Sequence, residues 1–163
     1  MSQDFYLGNP NLKKVGTEIQ FTKDQIQEYL KCKEDPVYFA RNYIKIISLD
    51  EGIVPFKMWD FQEELIESFH ENRFNIAKLP RQTGKSTTCV SYLLHYILFN
   101  DNVNVGILAN KLSTARDLLG RLQLAYEQLP LWIQQGIVVY NKGSMELENG
   151  SKILAASTSA SAV

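Results

Sequence analysis

The sequence predicts an α/β fold in which a parallel sheet is flanked by helices. Three observations predict it. Short apolar runs at 74–79 and 103–108 alternate with longer helical patterns at 85–99 and 113–128. Strand, helix, strand, helix in succession needs crossover connections, and those make neighbouring strands parallel. A turn bearing Gly84, Lys85 and Ser86 sits where the first of these strands meets the first of these helices.

Composition sets the outer limits. The chain has 163 residues, 45% hydrophobic and 21% charged, close to globular averages. That excludes a wholly disordered chain, a collagen-like repeat and a coiled coil. Seventeen basic residues against eighteen acidic ones leave a net charge of −1, so no whole-chain basic field marks a nucleic-acid binder, while a local basic face stays open. Cys32 and Cys89 lie far apart without a CxxC or an adjacent histidine, which excludes a zinc site and reads as two reduced thiols. The apolar stretch 89–99 is broken by Ser91 and His95 and is shorter than the roughly 18 to 20 residues of a membrane span. The N-terminus has neither a basic start nor an apolar core, so it is no secretory leader. The expectation is a soluble, intracellular protein.

Residues 1–20, punctuated by Gly8, Pro10 and Gly16, read as an irregular lead-in. Thr22 and Gln25 have capping-box spacing, and Ile26, Tyr29 and Leu30 form an apolar face, which predicts a helix over 23–33. Asp35-Pro36 starts a second short helix with proline at its first position. A third begins near Asp60, where Phe61, Leu65, Ile66 and Phe69 recur at helical spacing. Strand 74–79 then leads through Pro80-Arg81-Gln82-Thr83 into a helix over 85–99, apolar on nearly every side and therefore buried. Asn100-Asp101-Asn102 ends it, strand 103–108 follows, and 113–128 is an amphipathic helix. Short strands are expected at 137–140, 145–147 and 153–155, the last two joined by an Asn149-Gly150 hairpin turn.

Gly-Lys-Ser alone is a weak signal, and its context carries the specificity. A turn that leaves a strand and enters a helix aims free N–H groups and the positive helix end at one spot. Gly84 lets backbone approach a triphosphate, Lys85 reaches its β- and γ-oxygens, and the Ser86 hydroxyl holds Mg²⁺. The alternative is an ordinary helix start with a solvated lysine. The usual G-x-x-x-x-G-K-[ST] pattern has its first glycine at the position of Leu79, and here Arg81 stands inside the loop. A guanidinium there can stabilise transition-state charge, a role worth roughly 10³ to 10⁵ in rate; a salt bridge is the bland alternative. Gln62, on the upstream helix, carries a carboxamide suited to the N6/N7 edge of adenine, although a lone glutamine is ordinarily a solvated surface residue. Trp59 and Phe61 beside it either stack on a base or pack in the core.

Several blocks in one order resemble a family. D-F-Q-E-E-L-I, K-L-P-R-Q-T-G-K-S-T-T, V-G-I-L-A-N-K and L-P-L-W-I-Q-Q-G-I-V-V-Y-N-K-G-S-M-E-L-E-N-G-S-K-I are similar to the ATPase domain of the large terminase subunit of tailed phages. The likeness is greatest to T-even-type myoviruses and runs from about residue 8. It implies a P-loop NTPase fold of the RecA/helicase-like kind, with 21–163 as the N-terminal part of that domain. The cofactors it implies are ATP and Mg²⁺. The ATP-binding set is then Gln62, Arg81, Gln82, Thr83, Gly84, Lys85, Ser86 and Thr87. Lys85 and Arg81 are the catalytic pair, Arg81 as a cis arginine finger, and Ser86 is the metal-holding hydroxyl. The implied partners are double-stranded DNA, a portal protein, the small terminase subunit and further copies of the chain on the capsid vertex. The setting is host cytoplasm and, transiently, the procapsid portal vertex.

A hydrolytic P-loop ATPase also needs an acidic pair at a strand end. Ile46-Ile47-Ser48-Leu49-Asp50-Glu51 is the comparable string, but it precedes the phosphate loop, and Asp50 and Glu51 read as a turn before Gly52. Glu146 and Glu148 flank a short hairpin strand and make poor substitutes. In the resembled family a small-residue stretch like Ser157–Val163 leads into the acidic Walker B strand and, later, a nuclease domain, so the sequence reads as cut short of both. Weak ATP binding with poor turnover is the expectation. Two alternatives stand beside the packaging motor: a helicase-like DNA translocase, and a non-catalytic nucleotide-binding module acting through protein contacts. Lys111, Arg116 and Arg121 read as a solvated helix face and locate no DNA contact.

Overall fold

Thr22 begins the first regular element. Its hydroxyl accepts from Gln25 N at 3.2 Å while Gln25 Oε1 accepts from Thr22 N at 3.0 Å, the reciprocal box that the spacing predicts. The computed structural model describes residues 5–48 and 50–158. After a 3₁₀ turn at Tyr6–Gly8 come α1 (Lys23–Glu34), α2 (Pro36–Tyr43), β1 (Lys45–Ser48), β2 (Gly52–Pro55) and α3 (Asp60–Glu71). Then follow α4 (Lys85–Phe99), β3 (Asn104–Ala109), α5 (Leu112–Glu127), β4 (Ile137–Tyr140), β5 (Ser144–Leu147) and β6 (Lys152–Ser157). Asp35 caps α2 by accepting from Tyr38 N at 2.8 Å, with Pro36 at the first helical position. The end of the small-residue run, 159–163, and Leu49 lie outside the described residues.

The class is α/β, but the sheet is not parallel throughout. Its order is β3-β6-β5-β4, with β3 and β6 parallel and both other pairings antiparallel. Short connections decide this. Asn141 Oδ1 accepts from the N–H groups of Gly143 and Ser144, closing β4 onto β5. Gly150, at φ 79°, turns β5 into β6. Neither turn is long enough for a crossover, so the neighbours must be antiparallel. Only the path from β3 through α5 and onward to β6 is long enough to set two strands parallel.

The strand expected at 74–79 does not form. This stretch is irregular, with Phe74 82% and Ile76 101% exposed. A β-strand exists by giving its N–H and C=O groups to a neighbour, and no described strand pairs with this one. Local β-propensity cannot replace that partner. A hairpin not read from the sequence, β1 with β2, stands apart from the main sheet.

Helix α4 passes through the core, burying Leu94, Ile97 and Leu98 against neighbours that include Phe39 of α2 and Leu119 and Leu122 of α5. Ile137, Met145 and Ile153 continue that core across the sheet. The lead-in docks on it. Leu12 is buried, Ile137 N donates to Lys13 O at 2.8 Å, and Lys13 N donates to Gln134 Oε1 at 3.0 Å. Among the described residues no helix is long and apolar enough to cross a membrane.

Candidate functional site

The loop residues 80–87 singled out in the sequence lead into and open α4, a helix of fifteen residues. Gly84 precedes its first turn at φ 72°, and Gln82 also has positive φ, 64°. Left-handed backbone on either side of Thr83 makes the tight loop. Thr88 N and Thr88 Oγ1 both donate to Gly84 O, at 3.0 and 3.2 Å, which fixes the first turn. The N–H groups of Lys85, Ser86 and Thr87 precede any intrahelical acceptor, so they remain available to an anion.

Pro80 O is the acceptor at the centre of the loop. Lys85 Nζ donates to it at 3.0 Å and Thr83 Oγ1 at 3.1 Å. The residue type gave no hint of this, because the group is a backbone carbonyl. A phosphate that takes the lysine must compete with one neutral acceptor, and a charge-assisted hydrogen bond to an anion is the stronger. Arg81 is exposed and forms no ion pair among the described residues. The salt-bridge alternative for it is therefore not what the fold adopts.

Gln62 is brought to the loop from α3. It is 5% exposed, its Nε2 donates to Thr83 O at 3.1 Å, and its Oε1 accepts from Trp59 N at 3.0 Å. The carboxamide thus joins the start of α3 to the loop before α4, leaving one N–H and one lone pair for anything else. A Cβ on Gly84 would land against Gln62 Nε2, well inside contact distance. A side chain here would have to displace the tip of Gln62, in addition to the strain of the positive φ. Trp59 is 62% exposed beside Phe61, their ring centroids 5.6 Å apart.

Ser86 and Thr87 are half-buried on the first turn of α4. The Ser86 hydroxyl makes no hydrogen bond among the described residues, so it can serve as one ligand to Mg²⁺. That ion usually takes few protein groups and completes its shell with phosphate oxygens and water. No group of three or more His, Cys, Asp or Glu side chains gathers into a metal cluster among the described residues.

Of the acidic candidates, Glu146 and Glu148 have their carboxylates engaged elsewhere, and Asp50 and Glu51 sit in a turn. Asp50 and Glu51 lie in the turn between β1 and β2, as expected, with both N–H groups directed at Ser48 Oγ at 3.4 Å. Glu146 pairs with Lys152 at 3.3 Å. Glu148 accepts from Gly136 N at 2.6 Å, Gly16 N at 3.1 Å and Lys13 Nζ at 3.2 Å. Burial pushes its carboxyl up, but those three donors outweigh burial and hold it below the usual value. Among known protein-family models, none matches this chain.

Proposed function

We propose that this chain is the ATP-binding portion of a viral DNA-packaging motor, the large terminase subunit of a tailed phage. In that reading the whole motor couples ATP hydrolysis to movement of duplex DNA into a capsid. It works at the portal vertex in host cytoplasm, with a portal protein, a small terminase subunit and further copies of itself. The observation that carries the proposal is the junction at Gly84. One short loop holds the Lys85 ammonium on Pro80 O beside the first-turn N–H groups of α4, and the same loop carries Arg81, exposed and in no ion pair among the described residues.

Each residue has a task there. Lys85 leaves Pro80 O for the β- and γ-phosphates, and Gln82, Thr83 and Gly84 supply the backbone that wraps them. Arg81 lies against the γ-phosphate, where negative charge grows during transfer. Ser86 holds Mg²⁺, which screens the phosphate charges when bound, and Thr87 supports that turn. Gln62 reads adenine with its spare N–H and lone pair while it keeps the loop in shape. A second reading, a nucleotide-binding module without turnover, is favoured by one observation: the strand-end acids Asp50 and Glu51 are taken up in a hairpin turn.

A fluorescent ATP analogue titrated with Mg²⁺ tests the proposal. Wild type is expected to bind and Lys85→Ala to bind at least about tenfold more weakly. Equal binding by a folded Lys85→Ala variant removes the site. Packaging of DNA into portal-bearing proheads by the full-length motor, lost in Lys85→Ala, separates the motor from a helicase-like translocase and from a silent module.

A further inference from the structure

A slot of about 310 Å³ lies on the other side of α4 from the core packing of α3, between β1 and the α4–α5 pair. It is lined by the run 44–47 and by no residue of β2. Strand register explains what faces it. Ile46 pairs with Val54 and Ser48 with Gly52, and Phe56 N donates to Ile44 O at 2.9 Å. Alternation along an antiparallel ladder then turns the N–H and C=O groups of Lys45 and Ile47 outward, away from β2. Pro55, opposite Lys45, has no N–H to give and fits the unbonded position. The far wall is Thr87 and Val90 of α4 with Arg121 and Leu124 of α5. Lys45 and Arg121 are the charged residues of the lining, and neither is in an ion pair among the described residues. Among the described residues Arg121 makes no ion pair with Asp117, one turn before it.

We propose that this slot is a strand-addition site for an extended, acidic peptide segment of a partner protein. The segment pairs with the outer edge of β1, lays an apolar side chain on Val90 and Leu124, and turns a carboxylate to Arg121. Among the described residues nothing but β2 pairs with β1, and its outer edge offers donors and acceptors spaced for a second backbone, which a small anion would leave unused. The wall of two cations without an acid selects the charge of the occupant. The inference does not depend on nucleotide binding.

Random heptapeptides displayed on phage, panned on the folded chain, test it. The expected enrichment is one Asp or Glu within alternating apolar residues. A synthetic copy of the enriched peptide should bind Arg121→Glu, or the milder Arg121→Gln, at least about tenfold more weakly. Lys142→Glu, an exposed control, should bind normally. Methylation of the peptide backbone nitrogens should abolish binding, and saturation should slow amide exchange at Lys45 and Ile47 at least about tenfold. The proposal is overturned if no acidic pattern is enriched, if methylated peptide binds as well, or if both Arg121 variants bind normally. Self-association lost in Arg121→Glu, with no peptide selected, would assign the slot to a second copy instead.

Discussion

Gln62 and Thr83 are joined across two elements: the glutamine Nε2 reaches the threonine carbonyl at 3.1 Å, so α3 shapes the loop that opens α4. Truncating this buried carboxamide leaves both Trp59 N and Thr83 O without their partner and costs about 1–3 kcal/mol. If the loop binds nucleotide as proposed, Gln62→Ala is therefore expected to weaken ATP and GTP analogues alike, because the loop loses its tie. Parallel titrations of the two analogues check this. A loss confined to ATP would mean that base recognition, not loop shape, is what the residue contributes.

Gly84 and Gly16 share a positive φ, 72° and 75°, but differ in surroundings: a Cβ at Gly84 meets Gln62, whereas at Gly16 it meets nothing within 4 Å. Gly16→Ala is expected to cost about 1 kcal/mol from backbone strain alone. Gly84→Ala carries the same strain plus displacement of Gln62, and should cost roughly 2–4 kcal/mol and, on the proposed function, impair nucleotide binding. Urea unfolding of both variants measures the difference. Equal losses would show that Gln62 yields freely.

His95 is buried on α4 with Nε2 donating to Cys32 O at 2.8 Å, and its Nδ1 makes no hydrogen bond among the described residues. Burial lowers its pKa from 6.5 to about 4. The unfolded chain then binds a proton that the folded chain refuses between those values. Stability is complete above 6.5 and falls as pH drops toward 4, by about 3 kcal/mol from this group. His95→Gln should flatten that part of the stability–pH curve. A wild-type curve equally flat over the window would contradict the assignment.

Glu148 gathers Lys13, Gly16 and Gly136 onto one carboxylate. Glu148→Ala strands those donors at the seam between the lead-in and the sheet, a loss of about 2–3 kcal/mol. Residues near Lys13 should become sensitive to trypsin at concentrations that spare wild type. Because this carboxyl is held below its usual 4.5, its contribution is present above that value and disappears as pH falls through its lower folded value. A protease pattern unchanged in the variant would place the docking elsewhere.

What the sequence determined by itself is the set of elements whose signals are local. The Thr22 and Asp35 caps, proline at the start of α2, the apolar faces of α3 and α5 and the Asn149-Gly150 turn each depend on residues a few positions apart. Such contacts form wherever the chain goes, so five helices and the four strands of the sheet are legible, and the bounds that the sequence did give agree within two residues. The Gly84-Lys85-Ser86 junction is legible for the same reason. Tertiary structure decided the rest. Phe74–Leu79 has strand-like residues, yet no described neighbour accepts its backbone groups, and it stays irregular. Gln62 reads as a surface side chain until α3 is packed beside α4, when both ends of its carboxamide are engaged. Glu148 becomes a latch only once Lys13 and Gly16 arrive from more than a hundred residues away. A ladder, a buried amide and a shared carboxylate are relations between distant segments, and their energies exist only after the chain has brought those segments together.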